Sequence, residues 1–337
     1  MGETKNRIEW IDLAKGICIV LVVLHHVASV LGISYPFDVQ ARGFRMPLYF
    51  ILSGLFFKQY EGFVGFLKRK TNKLLIPFLF FLITTSILPY WILILPQWAS
   101  LHGYVLKSFL FKRVILFNEP IWFLLCLFEV NLLFYLVQLA ADAISSRYKT
   151  YIVLAVSLLL GCGGLALAVN HVSLMFYADS ALSALPLFAF GWWLFRHTSF
   201  LKSPVMLSRD VPMIIICALI LWLLAVPVKW INNDFSPQAV SVVYLCGIAG
   251  TMMVLTLSKI IKRLPLLSYW GRYSIMILCV HYPIATVGNI LFGKVISGPV
   301  LVTVVFLVTL LACHFLIPVM KRFFPHVTAQ KDLIRVA

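Results

Sequence analysis

Charge is scarce in this sequence. Asp, Glu, Lys and Arg together make up 12% of the 337 residues, where a soluble domain carries about 25%. Hydrophobic residues make up 62%, and that imbalance excludes an ordinary soluble globular protein. It also excludes disorder, which needs a chain polar enough to stay solvated. The alternation of apolar and polar residues that marks an outer-membrane barrel is missing too. Acid is scarcer than base, with 12 Asp+Glu against 28 Lys+Arg. The seven cysteines form no CxxC pair and all fall in apolar runs, so they read as buried, inert thiols rather than disulfides or metal ligands. P-loop, GxGxxG, HExxH and GxSxG motifs are absent. No cleavable signal peptide is expected, because the first apolar run is too long for one.

What remains is a set of continuous apolar runs near the roughly 20 residues that a helix needs to cross a bilayer. Ten spans are expected, at about 11–33, 40–57, 74–96, 121–142, 151–169, 179–195, 211–228, 239–258, 273–292 and 298–320. The fold class is therefore all-α and polytopic, as one integrated domain over 1–337. The second span is the weakest, because its apolar part, Phe44 to Phe57, is short. Residues 104–117 carry Lys107, Lys112 and Arg113 and read as an interfacial or re-entrant helix. With the N-terminus in the cytoplasm, 20 Lys and Arg fall on the cytoplasmic side and 7 on the other. That split fits the positive-inside rule with both termini cytoplasmic. The net charge of +16 then reflects orientation and anionic membrane lipid, and no basic–aromatic pattern is left over for nucleic acid.

Ionisable groups inside a bilayer are costly, so each is a functional candidate. The first span holds Asp12, Lys15, His25 and His26; the second begins with Arg42 and Arg45. Glu129 lies in the fourth, His281 in the ninth and His314 in the tenth. Lys15 and His26 are eleven residues apart, close to three turns, so they share a face roughly 16 Å apart along the helix. A cation near the cytoplasmic surface in line with an imidazole near mid-membrane suits a long ligand with an anionic head and a reactive tail, such as an acyl-coenzyme A. The plain alternative is a snorkelling Lys15 and a histidine bonded to a neighbouring helix. Asp12 and Lys15 are spaced to pair. The KRKTNK run, Lys68 to Lys73, reads as a positive-inside stop signal, as a phosphate-binding cluster, or as both. Glu129 could orient His26 or neutralise Arg45. His281 reads either as a core hydrogen-bonding histidine or as a substrate contact. Ser53-Gly54 reads as a close-packing site between helices.

At these residues the sequence resembles the acyltransferase-3 family of integral membrane acyltransferases. Arg7 to His26, RIEWIDLAKGICIVLVVLHH, is similar to the family's opening segment, with Lys15-x10-His26 in place of its usual Arg-x10-His. FRMPLYFILSGLFFK (Phe44 to Lys58) resembles R-x-P-x-F-F-x-x-S-G-F. RKTNKLLIP resembles the basic R-x-x-R-L-x-P segment, here Lys70-x-x-Lys73. IWFLLCLF, LPLFAFGWWL and YSIMILCVHYPI follow in the expected order, over most of the chain. The nearest likeness is to fucose O-acetylase-like and exopolysaccharide-modifying members.

The resemblance implies transfer of an acyl group, usually acetyl, from cytoplasmic acetyl-CoA to a sugar hydroxyl of an envelope polysaccharide or its lipid-linked precursor. The setting would be a bacterial inner membrane. It implies His26 as the catalytic imidazole, with His25 second and Glu129 as its orienting partner. It implies Lys15, Arg69, Lys70 and Lys73, with Asp12, at the coenzyme A phosphates, and Arg42, Arg45 and His281 toward the acceptor. No metal is expected. Lys replaces the family's Arg at 15, 70 and 73, keeping charge but not the bidentate fork. No appended soluble domain of the kind some members use is expected, which counts against any acceptor that needs one. The rival readings are a polysaccharide flippase or exporter, which would keep charges on broken, repeat-related helices, and a glycan polymerase.

Overall fold

The computed structural model describes residues 8–60, 62–88 and 118–335. The described chain is helical apart from one small hairpin. Its α-helices are α1 (Glu9–Val30), α2 (Asp38–Leu55), α3 (Phe63–Lys70), α4 (Ile76–Leu82), α5 (Trp122–Ile144) and α6 (Lys149–Val169). They continue as α7 (Ala178–His197), α8 (Leu207–Leu224), α9 (Pro237–Ile261), α10 (Pro265–Arg272), α11 (Ser274–Phe292) and α12 (Gly298–Phe323). Eight helices among the described residues are long and apolar enough to cross a membrane: α1, α5 with the turn before it, α6, α7, α8, α9, α11 and α12. They coincide with eight of the ten expected spans. The second expected span is the helix α2, which carries Asp38, Arg42 and Arg45 in its first half. The third is described only as far as residue 88, and the interfacial helix expected at 104–117 lies outside the described residues.

The outward faces are apolar. Trp222 and Leu223 on α8 are 61% and 74% exposed, and Phe315 on α12 is 69% exposed. In water such a surface would aggregate, whereas against acyl chains it is the expected coat of a membrane helix. Cys162 belongs to this coat: it is exposed, a correction to the expectation that every thiol is buried.

Contacts group the chain into two compact units. The first comprises residues up to Leu48, Ser203–Ala225 and Leu245–Ile317. Its centre is α1, packed on α10 and α11. A Cβ on Gly16 would overlap the carbonyl oxygen of Leu267, and one on Gly271 would overlap that of Asp12. Two glycines therefore let the backbones of α1 and α10 touch. Below them, Trp270 Nε1 donates to His314 Nδ1 at 3.3 Å, which settles His314 as a packing partner of α10.

The second unit comprises Tyr49–Lys202, Val226–Tyr244 and Pro318–Ala337. Its core is aromatic: the Phe134 ring lies 4.9 Å from both Phe57 and Phe188. Gly54 packs against the Phe188 carbonyl, the close approach expected of Ser53-Gly54. The helix after α3 is irregular, with π-helical turns at Thr71–Leu75 and Ile83–Ile87. Pro77 follows the first of them; it has no N–H to give the Lys73 carbonyl, so the preceding turn widens. The span expected at 211–228 ends early. After Leu224 the chain forms the hairpin β1 (Val228–Lys229) and β2 (Asp234–Phe235), with Val228 opposite Phe235. Asn233 turns it in the left-handed region at φ 49° and donates to the Gly164 carbonyl at 2.9 Å. The C-terminal segment folds back on the widened turn. Asn72, fully buried, donates to the Ile334 carbonyl and accepts from the Leu333 and Ile334 N–H groups.

Candidate active site

The first unit gathers five of the residues singled out from the sequence at the C-terminal end of α1. The helix reaches that point unbroken because its interior is apolar and free of proline. Gly32, at φ +66°, then starts the short connection that returns the chain as α2. This return sets Asp38, the first residue of α2, against His25. Asp38 Oδ1 lies 2.9 Å from His25 Nδ1. Its Oδ2 accepts from Arg42 Nε at 2.7 Å, with a second contact from the same guanidinium. Arg45 lies 3.8 Å from Oδ1. Its guanidinium is buried and donates to the Leu21 carbonyl of α1 at 3.0 Å. Two guanidiniums thus share one carboxylate, and the cluster carries surplus positive charge. Tyr35, in the connection, borders the same carboxylate; burial raises its phenol, which stays protonated.

His26, the neighbour of His25, belongs to a different set. Its Nδ1 lies 2.9 Å from the Val22 carbonyl oxygen and 3.0 Å from Nε2 of His281 on α11. His281 is fully buried, and its Nδ1 lies 2.8 Å from the Ile277 carbonyl oxygen. Tyr282 presents its ring edge-on, 5.7 Å from that of His26. The His25 and His26 rings stand 5.2 Å apart. Three imidazoles and two guanidiniums therefore meet at one end of α1. Asp12, nearly buried, and Lys15, half-buried, sit on the same helix three to four turns earlier.

The other expected site residues belong to the second unit. Lys70 at the end of α3 lies 5.6 Å and 6.0 Å from the ring centroids of Phe66 and Phe57. Burial pushes its ammonium down to about 8. The Arg69 guanidinium stacks 4.6 Å over the Tyr60 ring. Lys73 donates to the Ala329 carbonyl at 2.9 Å and pairs with Asp332 at 2.9 Å. The KRKTNK run therefore divides: Lys73 holds the C-terminal segment, whereas Arg69 and Lys70 rest on aromatic faces. Glu129 on α5 accepts from the Tyr177 N–H at 3.5 Å.

One residue of the first cluster, and one pairing within it, escaped sequence reasoning. Asp38 fell outside the expected spans, although its i,i+4 spacing to Arg42 was a usable signal. The pairing of His281 with His26, 255 positions away, had no local signal at all.

These features define a class: a multi-spanning helical membrane protein with a histidine cluster set into its first helix. The acyltransferase-3 family, described as an acyltransferase domain, matches residues 8–317, and the chain belongs to it. It is a membrane acyltransferase. No curated protein and no solved structure gives a significant match.

Proposed function

We propose that this membrane acyltransferase is an O-acetyltransferase, moving acetyl from cytoplasmic acetyl-CoA to a sugar hydroxyl of an envelope polysaccharide or its lipid-linked precursor. The observation that carries the reading is the histidine cluster at the end of α1, whose His26 is the histidine of the Lys15-x10-His26 segment that resembles the family's Arg-x10-His. An imidazole has an unperturbed pKa of about 6.5, so it can take and return a proton near neutral pH. His26 removes the proton from the sugar hydroxyl as its oxygen attacks the thioester carbonyl. The C–S bond breaks and the departing sulfur takes that proton, leaving coenzyme A as its thiol. Arg42, with the surplus charge around Asp38, faces the acceptor, while Arg45 braces α2 against α1. Lys15, Arg69 and Lys70 supply positive charge for the coenzyme A phosphates. Lysine does so as a point charge, without arginine's fork.

The test uses purified protein in lipid vesicles with radiolabelled acetyl-CoA and an envelope glycan extract. His26→Ala abolishes transfer and His25→Ala does not. Wild-type rates in His26→Ala remove the mechanism. Label retained on the protein at His26 replaces direct transfer with an acetyl-imidazole intermediate. Failure of wild type to cleave acetyl-CoA, with or without glycan, removes the reading altogether.

A further inference from the structure

We propose that His281 is a positioning residue for His26, accepting the Nδ1 proton of that ring and leaving Nε2 as its one reactive nitrogen. The proposal rests on the reading of His26 as the reacting imidazole and adds which atom reacts and what holds it.

The tautomers follow from the partners. A carbonyl oxygen only accepts, and His281 Nδ1 sits 2.8 Å from the Ile277 carbonyl. The proton of His281 is therefore on Nδ1, and its Nε2 presents a lone pair. That Nε2 lies 3.0 Å from His26 Nδ1. Two lone pairs do not face each other at this distance, so His26 Nδ1 carries a proton. The Val22 carbonyl, 2.9 Å from the same atom, requires the same answer independently. The bond is three-centred, with one N–H shared by two acceptors. A doubly protonated His281 would drive its Nε2–H into a proton already committed to Val22. His281 is thus neutral, and both rings hold a proton on Nδ1.

The two acceptors differ in what they fix. Val22 is four residues before His26 in α1, and its carbonyl already serves the helix ladder. His281 comes from α11 and reaches the ring from outside α1, so it sets the rotation of the imidazole about its Cβ–Cγ bond. Its own ring is fixed in turn by Ile277 and by full burial. When the acceptor hydroxyl gives its proton to His26 Nε2, an imidazolium forms. The Nδ1–H stays on His26 throughout and its bond to His281 tightens. In many hydrolases an ionised carboxylate does this work. A second neutral imidazole does it without placing a formal negative charge inside a bilayer. His25 has the other arrangement, since its Nδ1 faces the Asp38 carboxylate.

The experiment compares acetyl-CoA turnover by wild type, His26→Ala, His281→Met and His281→Gln in vesicles. Met fills the buried volume without a strong acceptor, whereas the Gln amide oxygen can accept from Nδ1. His281→Met lowers kcat by about 100-fold, the scale of a reacting group displaced by about 1 Å. The KM for acetyl-CoA is unchanged, and His281→Gln recovers most of the loss. Wild-type kcat in His281→Met, with His26→Ala inactive, overturns the positioning role and leaves the function standing. Equal losses in Met and Gln overturn it as well. Turnover by His26→Ala overturns both. A readout free of variants is the 15N spectrum of histidine-labelled wild type: His26 protonated at Nδ1 is expected, and His26 protonated at Nε2 refutes the proposal.

Discussion

Replacing Asn72 with alanine should release the C-terminal segment. The Asn72 side chain makes a three-bond clasp: Nδ2 to the Ile334 carbonyl at 2.8 Å, and Oδ1 from the Leu333 and Ile334 N–H groups at 2.9 and 2.8 Å. A buried hydrogen bond contributes about 0.5–1.5 kcal/mol net, so three contribute roughly 1.5–4.5 kcal/mol to docking. Each 1.4 kcal/mol is tenfold in an equilibrium, so opening of the segment rises by about 10- to 1,000-fold. Lys73 still holds Ala329 and Asp332, and Phe80 still meets the Phe324 ring. The release is therefore local, and the apolar core remains folded. Amide hydrogen exchange measures it directly. The Leu333 and Ile334 amides lose their acceptor and exchange faster in Asn72→Ala, together with the neighbours that open with them. The α5 amides are unchanged. Unaltered exchange at 333–334 would refute the clasp, and uniformly faster exchange everywhere would refute its being local.

Two further outcomes follow from the charges. The Lys70 ammonium, pushed down to about 8 by burial, is charged below that pH and neutral above it. Affinity for coenzyme A, read by equilibrium binding, should therefore weaken from pH 7 to pH 9, while Lys70→Arg stays flat over the same range. Asp38→Asn removes the one carboxylate shared by His25, Arg42 and Arg45. Breaking a buried ion pair on one side costs about 3–5 kcal/mol, so the midpoint of thermal unfolding in detergent falls; an unchanged midpoint would show that the cluster does not stabilise the fold.

The membrane architecture was legible because bilayer crossing leaves a long, one-signed signal. Apolar runs place α5, α6, α7, α9, α11 and α12 within a few residues of their helices. The boundaries that moved did so at special backbone. The first helix stops at Val30 rather than near 33 because Gly32 adopts a left-handed turn. The expected end at 228 instead belongs to a hairpin turned by Asn233. The short helix α10 went unread because it lies in a segment assigned as a connection, although Pro265 opens it and Gly271 meets α1. Of the site, Lys15, His25, His26, Arg42 and Arg45 were legible as polar intrusions in apolar runs. Asp38 was hidden by its place at a helix end, where an acidic residue already has a dipole to satisfy. The role of Lys73 was hidden because its partners, Ala329 and Asp332, lie more than 250 residues away.

The glycine contact between α1 and α10 has a mechanical meaning. A cycle that opens alternately to two sides needs packed faces that slide or rock, with side chains that can re-register. Where Gly16 meets the Leu267 carbonyl and Gly271 meets that of Asp12, there are no side chains to exchange. A shift of one residue in either direction would bring Lys15 or Ile17 of α1, or Trp270 or Arg272 of α10, into a space sized for hydrogen. The helix that carries His26 is thus a fixed gauge post. The gap between Lys15 and His26 is set by helix rise alone, so on the function proposed above a donor of the wrong length would not be accommodated by moving the post.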